Sequence, residues 1–321
     1  MHYSKLIGWG SYLPEKVLTN KDLEKIVNTT DDWIVSRTGI KQRHVAHPEQ
    51  GACDMAEQAA QKAIAQAGID ANEIDLIILA TSTPDRFFPS TACLLQARLG
   101  ISGAPAFDIS AACSGFIYAL SVADNFIKSG QYRCALVVGS EVLSRMIDWE
   151  DRKTCVLFGD GAGAVVIKSD NEPGIYTTQL HADGKYNNLL YVNNGLATQD
   201  EVSRKPHILM KGAEVFKTAV RTLGSLTEET IVASGFKTSD INWLIPHQAN
   251  LRIITAMAEQ LNMSLEQVVV TVDQHGNTSA ASIPLALDYA INSGKIKVGD
   301  NLLLEAFGGG FAWGSALLKF T

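Results

Sequence analysis

At 321 residues, with 46% apolar and 19% charged residues, the chain has room for one large domain or two ordinary ones and the composition of a globular protein with a sizeable core. A net charge of −7 argues against general nucleic-acid binding, which needs a basic surface, although a local basic patch stays compatible with it. The N-terminal "MHYSKLIGWGSYLP" lacks the apolar core of a signal peptide, and no apolar run approaches the ~18 residues of a membrane-spanning helix. Five cysteines without CxxC or Cys/His ligand spacing point away from a disulfide framework or a zinc site, so the expected compartment is the cytoplasm.

In chain order, the first strong signal is a helix: Ala52, Met55, Ala56, Ala59, Ala60, Ala63 and Ala67 recur at helical spacing. "LIILAT" (76–81) predicts a strand, and "PAFDIS" (105–110) predicts another after a loop. Phe116, Ile117, Leu120 and Ala123 return at helical spacing up to Ser129–Gly130, a helix stop. "CALVVG" (134–139) and "GAGAVVIK" (161–168) read as strands. Further on, a helix is expected from about Glu214, carrying Val215, Phe216, Ala219, Val220 and Leu223. After it come "WLIP" (243–246), a helix from about Ala249, the strand-like "QVVVTVD" (267–273), another helix, "NLLLEAF" (301–307) and "SALLKF" (315–320). Strands this uniformly apolar are buried on both faces, so helices must cover both sides of each sheet.

The same pattern occurs twice. "IAQAGIDANEIDLIILA" (64–80) aligns without gaps on "IVASGFKTSDINWLIPH" (231–247) at an offset of 167, with Ile64, Gly68, Ile74 and Ile78 on Ile231, Gly235, Ile241 and Ile245. Glu73 falls on Asp240, "IKSG" (127–130) recurs as "INSG" (291–294), and "FGDGAGAVVIK" (158–168) resembles "FGGGFAWGSALLK" (307–319). Two related halves are expected, 1–172 and 173–321. Packed about a pseudo-twofold axis, they would bring equivalent turns together.

Three of those turns carry reactive groups. Cys113 stands where a strand becomes a helix; free N–H groups and the dipole at a helix N-terminus favour a thiolate, against the alternative of a buried core cysteine. Cys53, Cys93, Cys134 and Cys155 have no such setting and read as structural. His247 ends "WLIP" just before a helix, where a satisfied core histidine is the competing reading. Asn277, in "GNTS", again links a strand to a helix, with an ordinary turn as the alternative. The glycine run 308–310 allows close backbone approach and an N–H aimed at a thioester oxygen. A phosphate loop is less well supported there, because neither GxGxxG nor GxxxxGK[ST] occurs. Papain-like proteases use the same three residue types but lack this duplication and this cysteine context.

With "DDWIVSRTGIKQRH" (31–44), "AFDISAACSGF" (106–116), "DRKTCVLFGDGAGA" (151–164), "HADG" (181–184), "KGAEVFKTAV" (211–220), "PHQANLRII" (246–254), "HGNTSAAS" (275–282) and "AFGGGFAWGS" (306–315) in this order, essentially the whole chain resembles 3-oxoacyl-[acyl-carrier-protein] synthase III, the initiating ketosynthases of type II fatty acid synthesis within the thiolase superfamily. The asparagine fits that group: elongating ketosynthases use a second histidine there and thiolases a second cysteine. Chalcone-synthase-type enzymes share Cys–His–Asn, but on typically longer chains without the pattern near Trp33.

The resemblance implies an α/β, thiolase-like duplicated five-layer αβαβα sandwich with two mixed sheets. It implies a ping-pong Claisen condensation of acetyl-CoA with malonyl-acyl carrier protein, without metal or redox cofactor. Cys113 would carry the acyl group, and His247, rather than the neighbouring His275, would act with Asn277 in decarboxylation. The N–H groups of Cys113 and Gly309 would form the oxyanion hole. Trp33, Arg37, Thr38 and Arg152 would hold the CoA nucleotide, and Gly212, Phe216 and Asn250 the pantetheine. Phe307 would pack beside the nucleophile, Phe88 would cap the partner's acyl pocket in a homodimer, and Lys217 and Arg252 would meet the acidic carrier protein. Ala213 stands where many relatives have a polar residue, often asparagine, and Glu259 and Gln260 where relatives often place lysines. A ketosynthase or acyltransferase of secondary metabolism, and a non-catalytic acyl-CoA-binding protein, are the alternative functions.

Overall fold

The computed structural model describes residues 2–193 and 206–321. The first sheet is built from Tyr3–Tyr12, Leu76–Ala80, Ala106–Ile109, Cys134–Val142 and Asp160–Asp170. In space the strand starting at Tyr3 lies beside that of Asp160, followed by those of Cys134, Leu76 and Ala106. The Leu76–Ala80 strand is parallel to both its neighbours, whereas Asp160–Asp170 is antiparallel to both of its own, so the sheet is mixed. The second sheet takes Ile175–Ala182, Ala312–Lys319, Asn301–Gly308 and Trp243–Pro246, in that spatial order and with the same directions.

Strand pleating divides the apolar residues into layers. Leu76, Ile78 and Ala80 point to the middle of the molecule, where they meet Leu120, Leu287 and, from the second sheet, Leu302 and Leu304. Ile77 and Leu79 point outward onto Ala56 and Ala60 of the helix Ala52–Ala67. Leu303 and Phe307 point outward on the other side, onto Leu223 and Met257 of the helices Gly212–Ser234 and Leu251–Gln260. The helices Gly115–Lys128 and Ser282–Asn292 fill the middle layer. Five layers result, αβαβα.

The expected alanine stripe has an exacting partner. Gly8 and Gly10 lie under it so closely that a Cβ would stand 2.2 Å from Ala63 O and 2.6 Å from Ala59 O, respectively. Only glycine admits the helix at that distance.

The duplication is carried by position. Leu76 and Trp243 open equivalent strands, as do Cys134 and Asn301, each pair 167 apart. The 3₁₀ turns Ala112–Ser114 and Ser279–Ala281 repeat at the same offset, and each leads directly into its middle-layer helix. Ala112 (φ 45°) and Ser279 (φ 48°), also 167 apart, share the same left-handed conformation. Holding a non-glycine residue there costs about 1–3 kcal/mol, which the surrounding packing must offset.

One expected strand is absent. "QVVVTVD" makes a single bridge, Val268 with Leu244, and Val272–His275 then forms a helical turn. The buried Gln248 side chain takes over the missing ladder: Nε2 donates to Pro246 O (2.8 Å) and Val269 O (3.0 Å), while Oε1 accepts from the N–H groups of Thr271 (2.8 Å) and Val272 (3.1 Å). The helices expected from about Glu214 and Ala249 begin at Gly212 and Leu251, the latter because Asn250 caps it through Arg252 N–H at 2.9 Å.

Candidate active site

A cavity of about 510 Å³ opens between the two halves, and Cys113, His247 and Asn277 all line it. Exposure falls from mouth to floor: Arg37, Arg152 and Arg252 are exposed, Trp33, Phe216 and Asn250 half-buried, and the three floor residues only 6–7% exposed.

Cys113 occupies the middle of its 3₁₀ turn, which Ser114 anchors by donating from Oγ to Ala312 O at 2.8 Å. The end of the Asn301–Gly308 strand presses on it: a Cβ on Gly308 would lie 2.8 Å from both Cys113 N and Cys113 Cβ. Gly309 is one step farther away, facing Ala112 and Leu190. Burial pushes the Cys113 thiol up to about 12, so the resting nucleophile keeps its proton. Among the described residues no other cysteine lines the cavity; Cys53, Cys134 and Cys155 are buried elsewhere, and Cys93 donates from Sγ to Ala106 O at 3.2 Å.

His247 is fixed at both ends. Its backbone N–H donates to Glu305 O at 2.8 Å, and its Nδ1 lies 2.6 Å from Ser282 Oγ. Ser282 Oγ accepts from Gln248 N–H (3.4 Å), which leaves its own proton for Nδ1. The ring proton then sits on Nε2. Burial lowers the imidazole to about 3, making it a neutral donor at working pH.

Asn277 is tied into a loop by Asn277 N–H to Leu157 O (2.9 Å) and Gly159 N–H to Asn277 O (3.0 Å). Its Oδ1 accepts from Ser279 N–H at 2.9 Å, so the amide NH₂ is the end left to donate. Two neutral donors and a thiol thus share one buried floor, an arrangement suited to a developing oxyanion or enolate. His275, the other candidate histidine, lies outside the cavity lining, against His44 and Tyr289.

At the mouth, the guanidinium carbons of Arg37 and Arg152 each lie 4.6 Å from the Trp33 ring centre. Asn250 Nδ2 donates to Arg37 O at 3.0 Å, and Arg252 sits over Phe216 at 5.1 Å. Thr38, Gly212, Ala213 and Phe307 also line the cavity, although the Thr38 hydroxyl is engaged in donating to Ile34 O at 2.7 Å. Lys217 is exposed outside the lining, and Phe88, 85% exposed beside Phe87, lies on the surface of the single chain. Gln260 Nε2 is occupied with Val220 O at 3.2 Å, while Glu259 is exposed.

Sequence reasoning missed two buried carboxyls. Glu305 lines the cavity and is pushed up to about 8 by burial; Glu141, behind the nucleophile turn, is pushed up to about 7. Their only signal is an acid inside a buried, mostly apolar strand, "LLLEAF" and "VVGSEV".

The family models described as 3-Oxoacyl-[acyl-carrier-protein (ACP)] synthase III and its C-terminal part match residues 107–184 and 231–320. A beta-ketoacyl-[acyl-carrier-protein] synthase III of Thioalkalivibrio sulfidiphilus is 60% identical over 322 residues, covering 100% of both chains. The chain belongs to the beta-ketoacyl-[acyl-carrier-protein] synthase III family. The crystal structure of such a synthase from Aquifex aeolicus superposes with a TM-score of 0.94 at 52% identity, covering 99% of this chain and 100% of the other. The priming beta-ketosynthase of the R1128 polyketide pathway superposes with a TM-score of 0.94 at 36% identity, covering 99% and 96%. The five layers are thus those of the thiolase-like synthase III enzymes, and the protein is an acyl-transferring condensing enzyme, the initiator of type II fatty acid synthesis. No helix among the described residues is long and apolar enough to cross a membrane.

Proposed function

We propose that Cys113 takes the acetyl group from acetyl-CoA and that His247 and Asn277 then direct decarboxylative condensation with malonyl-acyl carrier protein. The convergence of these three side chains on one cavity with a cationic, indole-bearing mouth carries the reading. The thiol sulfur attacks the thioester carbonyl, CoA leaves, and the oxyanion is held by the N–H groups of Cys113 and Gly309. The malonyl thioester then enters. As its C–CO₂ bond breaks, the electron pair moves to the thioester oxygen, where His247 Nε2–H and the Asn277 amide donate. The resulting carbanion attacks acetyl-Cys113 and releases acetoacetyl-carrier protein. No metal or redox cofactor enters this scheme.

Trp33, Arg37, Thr38 and Arg152 would receive the nucleotide, since guanidinium groups pair with phosphate and an indole stacks on adenine. Gly212, Phe216 and Asn250 would border the pantetheine, and Phe307 the acyl group. Lys217 and Arg252 stand outside the mouth where an acidic carrier protein would dock, a contact that weakens in salt. The exposed Phe87–Phe88 pair supports a homodimer in which Phe88 closes the partner's pocket. The reading includes a cytoplasmic location and a division of the chain at 172/173.

Mass spectrometry tests it: acetyl-CoA should acetylate Cys113, and the adduct should disappear as acetoacetyl-carrier protein forms on adding malonyl-carrier protein. No adduct with any acyl-CoA would sink the reading in favour of a binding protein. The similarity to a polyketide priming ketosynthase favours a second reading, a primer other than acetyl, which faster loading from longer acyl-CoAs would reveal.

A further inference from the structure

Asn277 owes its place in the cavity to one neighbouring segment, which holds both of its backbone groups. Asn277 N–H donates to Leu157 O at 2.9 Å, and Gly159 N–H donates to Asn277 O at 3.0 Å. Val156, Leu157 and Phe158 are themselves part of the cavity lining. The placement of this wall therefore fixes the placement of the amide, while the bond from Ser279 N–H to Oδ1 sets only which end of the amide is left to donate.

Behind that wall lies Arg43, the middle residue of the Gln42–His44 strand and wholly buried. Its Nη2 donates to Val156 O at 2.7 Å, the carbonyl next to the one that holds Asn277. Its Nη1 donates to Asn20 Oδ1 (2.9 Å) and Leu18 O (3.1 Å), and Nε has no partner among the described residues. No carboxylate is among these partners to offset the cost of burying a guanidinium. The stem is gripped as well as the head. A Cβ on Gly159 or on Gly276 would stand 3.0 Å from Arg43 Cβ, so the chain on both sides of the Asn277 contacts closes directly onto Arg43. Asn20 donates from Nδ2 to Asp31 Oδ1 and Ile40 O, both at 2.8 Å. The guanidinium is thereby footed on the helix Asp31–Thr38, which carries Trp33 and Arg37.

We propose that Arg43 is a positioning residue for Asn277: it holds the wall 156–158, and through that wall the donor amide, where the decarboxylation half-reaction needs it. The planar fork reaches Val156 on one side and Leu18 and Asn20 on the other, a bridge that the single point charge of a lysine does not reproduce. Without the bridge the wall keeps its bonds to Asn277 but loses the one that locates both against the rest of the fold. The other two floor residues are anchored elsewhere, His247 through Glu305 O and Ser282, and the Cys113 turn through Ala312 O. The second half-reaction should therefore depend on Arg43 and the first should not.

This inference rests on Asn277 serving decarboxylation, and a double-mutant cycle separates the two. Wild type, Arg43→Lys, Asn277→Ala and the double variant are mixed with saturating acetyl-CoA, and Cys113 acetylation is timed by quenched-flow mass spectrometry. Acetylated enzyme is then given malonyl-carrier protein, and the single-turnover rate of the second half-reaction is measured. Arg43→Lys is expected to load at the wild-type rate and to slow the second half-reaction about 10²-fold, the loss that a displacement of about 1 Å causes. In the Asn277→Ala background it should slow that step no further. An unchanged second half-reaction in Arg43→Lys, an equal loss in both half-reactions, or the same loss with and without Asn277 each overturns the positioning role. Should Arg43→Lys not fold, Asn20→Ala, which loosens the guanidinium at Nη1 and leaves Arg43 in place, enters the same cycle and the same outcomes decide. A full second half-reaction in Asn277→Ala overturns the proposed function instead.

Discussion

The Ser282 hydroxyl stands 2.6 Å from His247 Nδ1, and it reaches there because the middle-layer helix Ser282–Asn292 starts at that residue. The contact selects the tautomer that presents Nε2–H to the cavity. Ser282→Ala frees the ring, and we expect the decarboxylation half-reaction to slow roughly two- to tenfold, the worth of one hydrogen bond. Acetylation of Cys113 should be unaffected; single-turnover rates of the two half-reactions check this, and an unchanged second rate refutes the tautomer argument.

Glu305 should make stability pH-dependent. Thr227 Oγ1 lies 2.6 Å from Glu305 Oε1 and 3.0 Å from Leu223 O, and one hydroxyl proton serves only one of them. A protonated Glu305 supplies the second, in keeping with a carboxyl raised from 4.5 to about 8. The folded state then holds a proton that the unfolded chain has released. Stability is full below 4.5, falls as pH rises, and levels off above about 8. Glu305→Gln should flatten this decline, gaining on wild type in Tm toward alkaline pH. Parallel melting curves across that window would contradict it.

The two glycines beside the nucleophile should respond differently to alanine. At Gly308 the new Cβ collides with Cys113 backbone and Cβ at 2.8 Å, whereas at Gly309 the nearest atom is Leu190 O at 3.1 Å. Gly308→Ala is expected to cost about 1–3 kcal/mol by overpacking and to abolish acyl loading. Gly309→Ala keeps its N–H and should load at close to the wild-type rate. Urea melts and adduct formation read both outcomes.

Trp33 stands at the cavity mouth, half-buried between Arg37 and Arg152. Trp33→Ala removes the surface against which Arg37 and Arg152 lie, and cation–π losses of about 0.5–2 kcal/mol imply a KM for acetyl-CoA raised roughly two- to thirtyfold. With binding lost equally from ground and transition states, kcat should hold. A fall in kcat at unchanged KM would move Trp33 out of the binding role.

The sequence made the chemistry more legible than the framework around it. Cys113 and His247 stand out because reactive side chains follow apolar runs at strand ends, Asn277 because its turn "GNTS" leads into a helix, and Trp33, Arg37 and Arg152 because the resemblance picks them out. The Tyr3–Tyr12 strand escaped notice because its buried positions include Ser4, Gly8 and Gly10, which carry no apolar signal; closeness to the alanine helix selects the two glycines, and Ser4 instead donates to Asp124 of the middle-layer helix. "QVVVTVD" misled for the opposite reason. Its valines satisfy the strand pattern, but Gln248 captures the backbone groups a neighbouring strand would have used. The raised proton affinity of Glu141 and Glu305 was unreadable because it comes from burial, which distant segments impose.

The offset of 167 also pairs Cys113 with Ala280 and His247 with Ala80. Those two alanines have not been left facing an empty copy of the site. A Cβ on Gly115 would meet Ala80 Cβ at 3.0 Å and Ala280 Cβ at 3.4 Å, so the place where a rotated copy of the active centre would stand is filled solid. Writing cysteine at 280 and histidine at 80 would restore the letters of a second centre without its volume. Symmetry here serves as scaffolding for a one-handed machine, and its catalytic capacity is limited by space before it is limited by residues.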